Sequence, residues 1–190
     1  MRKYDIGYFS SADRGLDVLL MMIPEIEKKL GRKVISCWAY GWDTYDQFHN
    51  QNPEKMKWKW GVIRDMNKTG MESLGRLTHE ELAKVMQDTN IWAYPTSFPE
   101  IHCITALKAQ AAGCQVITSG YAALQETILK DEEDIENIDT KPEKLSEFID
   151  RVVEALKTPR NEKALKLTAE KIKRQNDWSE VAKVWDEALS

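Results

Sequence analysis

The sequence is poor in cysteine, in long apolar runs and in glycine-rich phosphate signatures, and each shortage removes a class of function. Cys37, Cys103 and Cys114 are its only cysteines. Scattered thiols without a CxxC pair support neither a disulfide framework nor a thiolate metal site. They read as small buried apolar residues in a reducing compartment. No apolar stretch approaches the roughly 18 residues of a membrane span, and the N-terminal MRKYDIGYFSS has no signal-peptide core, so a cytoplasmic location is expected. Positive charge is not in excess: 27 Lys and Arg face 31 Asp and Glu, for a net charge of −4. Nucleic-acid binders carry basic patches or a high pI, and a pI near 5.5 argues against such a partner. Neither GxGxxG nor GxxxxGK[ST] occurs, which disfavours a dinucleotide site and a Walker ATPase. There is no Pro/Gly/Ser-rich linker, internal repeat or low-complexity tract, so residues 1–190 are expected to form one domain.

What the chain does hold is alternating strand and helix patterns. Tyr4 to Ser10 reads as a strand. Leu16, Leu19, Leu20, Ile23, Ile26 and Leu30 fall at helical spacing, with Pro24 expected to kink or divide that helix and Gly31 placed as its C-cap. Lys33 to Tyr40 reads as a second strand. Residues 41–69 are loosely helical, with a break at Asn52-Pro53. The alternation KMKWKW at 55–60 could stack single-stranded nucleic acid. The acidic balance favours a surface helix packing its tryptophans inward. Met71 to Gly75 is a possible third strand. Thr78 and Glu81 form a capping box. Asn90 to Pro95 and Cys114 to Ser119 read as the fourth and fifth strands, around a helix at about Cys103 to Ala112. A short strand is possible near Ile135 to Ile138, and a second capping box at Thr140 and Glu143 opens a helix, with two more from about Asn161 and Trp178. Such alternation implies an α/β domain: a mostly parallel sheet with helices on both faces.

In open α/β sheets, ligands bind beyond the carboxyl ends of the strands, so the strand-to-helix turns carry the candidates. The turn Ser10-Ser11-Ala12-Asp13-Arg14-Gly15 could hold a phosphate through backbone N–H groups, Ser11 and Arg14. An N-cap before an exposed arginine would look the same. Leu74-Gly75-Arg76-Leu77-Thr78 is a weaker signal. The segment FPEIHCITALKAQAAGC (98–114) is the richest. Glu100 could cap the helix that follows. Alternatively, it could accept sugar hydroxyls while the N–H groups of Ile101, His102 and Cys103 bind phosphate or sugar.

Residues 70–127 resemble the donor-binding segment of glycosyltransferase family 4. The resemblance is carried by GRLTHEELAKVM, by DTNIWAYPTSFPE and by EIHCITALKAQAAGC, the last a Glu-x7-Glu-type motif entering an alanine-rich helix. SSADRGLD resembles that family's first strand–helix junction, and NDWSEVAKVWDEAL its closing segment. The resemblance implies a Rossmann-like three-layer domain, one half of a GT-B fold. It implies transfer of a sugar from an NDP-sugar to an acceptor hydroxyl with retention, without metal or other cofactor. Arg14 matches the position that contacts the diphosphate, and Glu100 the acid on the donor sugar. Ile101, His102, Cys103 and Ile104 match the backbone cradle, and Arg76 and Leu77 the turn beside the base. The acceptor site and several catalytic groups belong to an N-terminal domain. Met1 lies a few residues before the first strand, so that domain is expected as a partner, in cis or in trans, and no catalytic residue is assigned here.

One departure stands out. The second acid of the motif, which holds the ribose, is Lys108 here, and a lysine can only donate. Another group serves the ribose, or Lys108 supports the diphosphate, or donor binding is lost. Glu126 could help or pair with Lys108. The last alternative defines a second reading, a non-catalytic scaffold module derived from the same fold.

Overall fold

The computed structural model describes residues 2–129 and 142–190, the side chains of Pro142 and Glu143 excepted. Five strands form one sheet: β1 (Tyr4–Tyr8), β2 (Ser36–Trp38), β3 (Glu72–Ser73), β4 (Thr89–Tyr94) and β5 (Gln115–Thr118). Their spatial order is β3-β2-β1-β4-β5 and every pairing is parallel. Gly7 lies beside Cys37 on one side and Trp92 on the other, and Tyr94 beside Thr118. Parallel strands covered on both faces are apolar throughout, which β4 shows: Ile91, Trp92, Ala93 and Tyr94 are all buried. Trp38, Trp92, Tyr8 and Tyr94 are the largest fully buried side chains, each contributing about 3 kcal/mol of hydrophobic burial.

Helices supply the crossovers. α1 (Leu16–Leu30) follows β1 after a single 3-10 turn (Ala12–Arg14), and α2 (Asp43–His49) and α3 (Pro53–Thr69) connect β2 to β3. α4 (His79–Gln87) leads to β4, α5 (Ile104–Ala111) to β5, and the short α6 (Leu124–Thr127) follows β5. α7 (Pro142–Lys157), α8 (Glu162–Gln175) and α9 (Trp178–Leu189) complete the chain. α1 packs between α3 and α7, while α5 packs against α4 and α8, which gives one helical layer to each face of the sheet. α9 buries no residue, and Trp178, Val184, Trp185 and Leu189 on it are exposed.

The α/β architecture, the five strands and the capping box of Thr78 with Glu81 agree with the sequence reading. Gly31 takes φ 70° as the C-cap of α1. Other expectations need correction. Of the two outcomes expected at Pro24, a kink or a division, division does not occur: α1 runs unbroken for 15 residues. β2 is three residues long because its approach is held by side chains: the Val34 N–H donates to Glu27 Oε1 and the Ile35 N–H to Asp5 Oδ2. β3 is reduced to two residues at the sheet edge. In α3 only one tryptophan of KMKWKW turns inward. Trp58 packs against the core and donates to Asp17 Oδ2, while Trp60 is exposed. Residues two apart on a helix stand about 200° apart, so both cannot share a face. Lys59 between them is buried on Asp46, at 2.6 and 2.7 Å. His49 is half-buried with its ring edge-on to Tyr45. The expected strand at Ile135 to Ile138 and the capping box of Thr140 with Glu143 lie outside the described residues.

Candidate functional site

From β1 the chain crosses to β2, and from β4 it crosses the other way to β5, so the order reverses between β1 and β4. The crevice at the carboxyl end of such a reversal is where open α/β sheets bind ligands. Two loops frame it: Phe9 to Gly15 after β1 and Pro95 to Cys103 after β4. Gly15 locks them together. Its φ is +118°, and a Cβ there would lie 2.4 Å from the Pro95 carbonyl oxygen. Only glycine permits both that conformation and that approach.

Arg14, the last residue of the 3-10 turn, is thereby aimed at the second loop. Its guanidinium carbon sits 3.9 Å from the centre of the Phe98 ring, and Nη1 donates to Glu100 Oε1 at 3.1 Å. The Tyr94 hydroxyl, at the end of β4, donates to the same oxygen at 2.7 Å. Ser10 Oγ lies 3.4 Å from that hydroxyl, and the Ser10 carbonyl accepts from Trp38 Nε1 at 3.0 Å. Tyr8 Oη donates to the Ser11 carbonyl. Burial works against the Arg14 charge, but the Glu100 carboxylate and the Tyr94 hydroxyl outweigh it and raise the guanidinium pKa. Burial raises the Tyr94 pKa, as does its bond to the carboxylate, so the phenol stays a donor.

The second loop is tied down from three sides. Phe98 N–H donates to Thr96 Oγ1, Ser119 Oγ to the Thr96 carbonyl, and Ala123 N–H to the Glu100 carbonyl. Ala122 just before it has φ 53°, a left-handed conformation uncommon outside glycine. At the N-cap of α5, burial pushes the Cys103 thiol up to about 11, although the Ala106 and Thr105 N–H groups point at it. Among the described residues, the N–H groups of Ile101, His102 and Cys103 donate to no protein acceptor. With the helix dipole behind them they favour an anion. The crevice thus sets a guanidinium and free N–H groups beside a carboxylate, which suits a ligand carrying both phosphate and hydroxyl groups.

The structure brings Ser11, Arg14, Glu100, Ile101, His102, Cys103 and Ile104 to this crevice. Arg76 and Leu77 lie at the same edge of the sheet but beyond β2 and β3. There Arg76 donates to Thr44 Oγ1, and Leu77 packs on the core. At that corner Gly41 closes on the neighbouring turn, where a Cβ would meet Arg76 N at 3.1 Å, while Gly75 has open space beside it. Lys108 is half-buried on α5, and no ion pair joins it to Glu126 among the described residues. The sequence reading gives no role to Tyr94, nor an individual one to Ser10, Gly15 and Phe98 within the turns it singles out. The usable signal was a tyrosine, not a phenylalanine, ending a buried strand, because a buried phenol needs a partner.

A cavity of about 790 Å³ opens at the opposite, amino edge of the sheet. Its cations are already engaged. Arg2 donates to the Met86, Thr89 and Ala112 carbonyls, and Arg160 to those of Asn90 and Gly113. They serve as clamps on strand starts and on the end of α5. Among the described residues no group of three or more His, Cys, Asp or Glu could hold a metal ion, and no helix is long and apolar enough to cross a membrane.

Solved structures share this fold. The pneumococcal O-GlcNAc transferase GtfA, in complex with UDP and GlcNAc, superposes with a TM-score of 0.68 at 12% identity, over 99% of this chain and 36% of that one. HepE of Anabaena, in complex with UDP and glucose, gives 0.71 at 13%, over 99% and 48%. The C-terminal domain of LpcC from Francisella tularensis, a glycosyl transferase group 1 family protein, gives 0.64 at 16%, over 92% and 86%. The chain therefore spans less than half of the first two proteins and most of an excised C-terminal domain. No curated protein matches the sequence. A family model described as "Glycosyl transferases group 1" matches residues 4–158, and the chain belongs to that family.

Proposed function

We propose that this chain is the donor-binding half of a GT-B glycosyltransferase resembling family 4. It holds a nucleotide diphosphate sugar whose glycosyl group passes, with retention, to an acceptor hydroxyl. The observation that carries this reading is the convergence of Arg14 and Glu100 at the strand-order reversal, beside the N–H groups of residues 101–103, which meet no acceptor among the described residues. Arg14 and those N–H groups neutralise the diphosphate, a task that then requires no metal. Glu100 accepts from sugar hydroxyls. Arg76 and Leu77, farther along the same edge, face the base. UDP and glucose in HepE and ADP in starch synthase IV of Arabidopsis support the ligand class.

The acceptor site belongs to an N-terminal domain, supplied in cis or in trans. Two exposed apolar surfaces support that partner. Phe98, Ile101, Ile104 and Tyr121 surround the crevice, and Trp178, Trp185 and Leu189 line α9. Isothermal titration of the chain with UDP-, GDP- and ADP-sugars tests the reading. We expect one nucleotide family to bind and Glu100→Ala to weaken it sharply. No binding across the panel, or equal binding by the variant, overturns the assignment. The scaffold reading rests on Lys108, which is half-buried without a carboxylate partner among the described residues.

A further inference from the structure

Glu100 presents two unequal oxygens. Oε1 takes both protein donors, Arg14 Nη1 at 3.1 Å and the Tyr94 hydroxyl at 2.7 Å. Oε2 takes none among the described residues. The carboxylate is therefore divided, with one oxygen bound by the protein and the other open to a ligand hydroxyl.

The two donors differ in mobility. Arg14 keeps about a third of its side chain exposed (35%), resting on the Phe98 ring. It is also the group with a phosphate to serve, so a bound diphosphate competes with Oε1 for it. Tyr94 has no such freedom. It is fully buried, stacked on Trp92 with 5.0 Å between ring centres and tilted against Tyr8 at 5.6 Å. With its own proton directed to Glu100, its oxygen is left to accept from Ser10 Oγ. Ser10 is fixed in turn through its carbonyl by the buried Trp38 indole. Chains of this kind polarise one another in a low dielectric. A phenylalanine would fill the same space in β4, so core packing alone does not account for the hydroxyl.

Resting on the donor-site reading above, we infer that Tyr94 is a positioning residue for the donor sugar. It keeps Glu100 Oε1 occupied, and Oε2 aimed at a sugar hydroxyl, when Arg14 turns to the diphosphate. Ser10 supports it from behind. The sugar is thereby recognised through a carboxylate held from within the β4 core, separately from the phosphate.

The test compares the wild-type chain with Tyr94→Phe and Ser10→Ala, titrating each with a nucleotide diphosphate sugar and with the matching free nucleotide diphosphate. The informative quantity is the ratio of the two dissociation constants. In Tyr94→Phe that ratio shifts against the sugar nucleotide by about tenfold, as expected for one charge-assisted hydrogen bond. Ser10→Ala shifts it the same way by about twofold, an indirect polarisation effect. Affinity for the free diphosphate stays within about twofold in both. An unchanged ratio in Tyr94→Phe overturns the positioning role and leaves the donor site standing. Equal losses for both ligands in both variants overturn it in favour of a purely structural tyrosine. A wild-type chain that binds neither ligand overturns the donor-site reading itself, and this inference with it.

Discussion

Gly15 and Pro95 are in backbone contact: a Cβ on Gly15 would stand 2.4 Å from the Pro95 carbonyl oxygen. That contact brings the turn after β1 against the loop after β4, and the distance from Arg14 to Glu100 depends on it. Gly15→Ala must relieve both the clash and a φ of +118°. It is expected to cost about 3 kcal/mol and to weaken donor binding beyond the loss of stability. Urea unfolding with a parallel ligand titration checks this, and an unchanged midpoint would show that the two loops can part freely.

Arg14 and Glu100 should separate in their ligand dependence. Arg14→Ala is expected to weaken sugar nucleotide and free nucleotide diphosphate alike, by about tenfold or more. Glu100→Gln should act on the sugar nucleotide alone. Calorimetry with both ligands decides, and identical profiles for the two variants would contradict the division of labour.

Lys108→Glu places an acceptor where the resemblance to family 4 leads one to expect a ribose-binding acid. Because Lys108 has no carboxylate partner among the described residues, the change breaks no ion pair. Nucleotide affinity is expected to rise about tenfold. A fall would place Lys108 on the diphosphate instead, and no change would mean that another group holds the ribose.

The strands and helices were legible because apolar spacing and caps are local signals, as at Thr78-Glu81 and Gly31. The length of β2 was not, since Asp5 and Glu27, from elsewhere in the chain, claim the N–H groups before it. Arg14 and Glu100 could be named from their turns, but their ion pair could not, because it requires the strand order that places β1 beside β4. Tyr94 reads as another core aromatic until the loop after it folds Glu100 back onto its hydroxyl. The Lys59–Asp46 pair was likewise hidden, because a lysine between two tryptophans looks like a solvated face.

Acid should expose the α4 cap. Backbone and side-chain bonds from Thr78 hold the Glu81 carboxyl below the usual 4.5. A depressed folded pKa adds stability above the unfolded value that disappears as pH falls through the folded one. The stability gap between wild type and Glu81→Gln should therefore be constant well above pH 4.5 and shrink below it. A gap that persists in acid would show that the Thr78 bonds do not depend on charge.

Asp46→Ala should cost more than Lys59→Met. The first strands a buried ammonium, whereas the second removes it and keeps the packing of its stem. With Asp46 side-chain exposure at 40%, the difference is expected to be about 1–2 kcal/mol by urea unfolding. The reverse order would mean that water reaches Lys59 readily.

The seven tryptophans divide by environment: Trp38 and Trp92 are fully enclosed, Trp42 and Trp58 half-buried, and Trp60 on α3 (60%) and Trp178 and Trp185 on α9 (84% and 62%) exposed. Fluorescence from one chain therefore mixes a short-wavelength pair that reports on the sheet with a long-wavelength group, in which Trp60 reports on α3 and the α9 pair on whatever covers that helix. A second domain settling there would shift and shield only the α9 pair, so association could be followed without a label and without confusing it with unfolding.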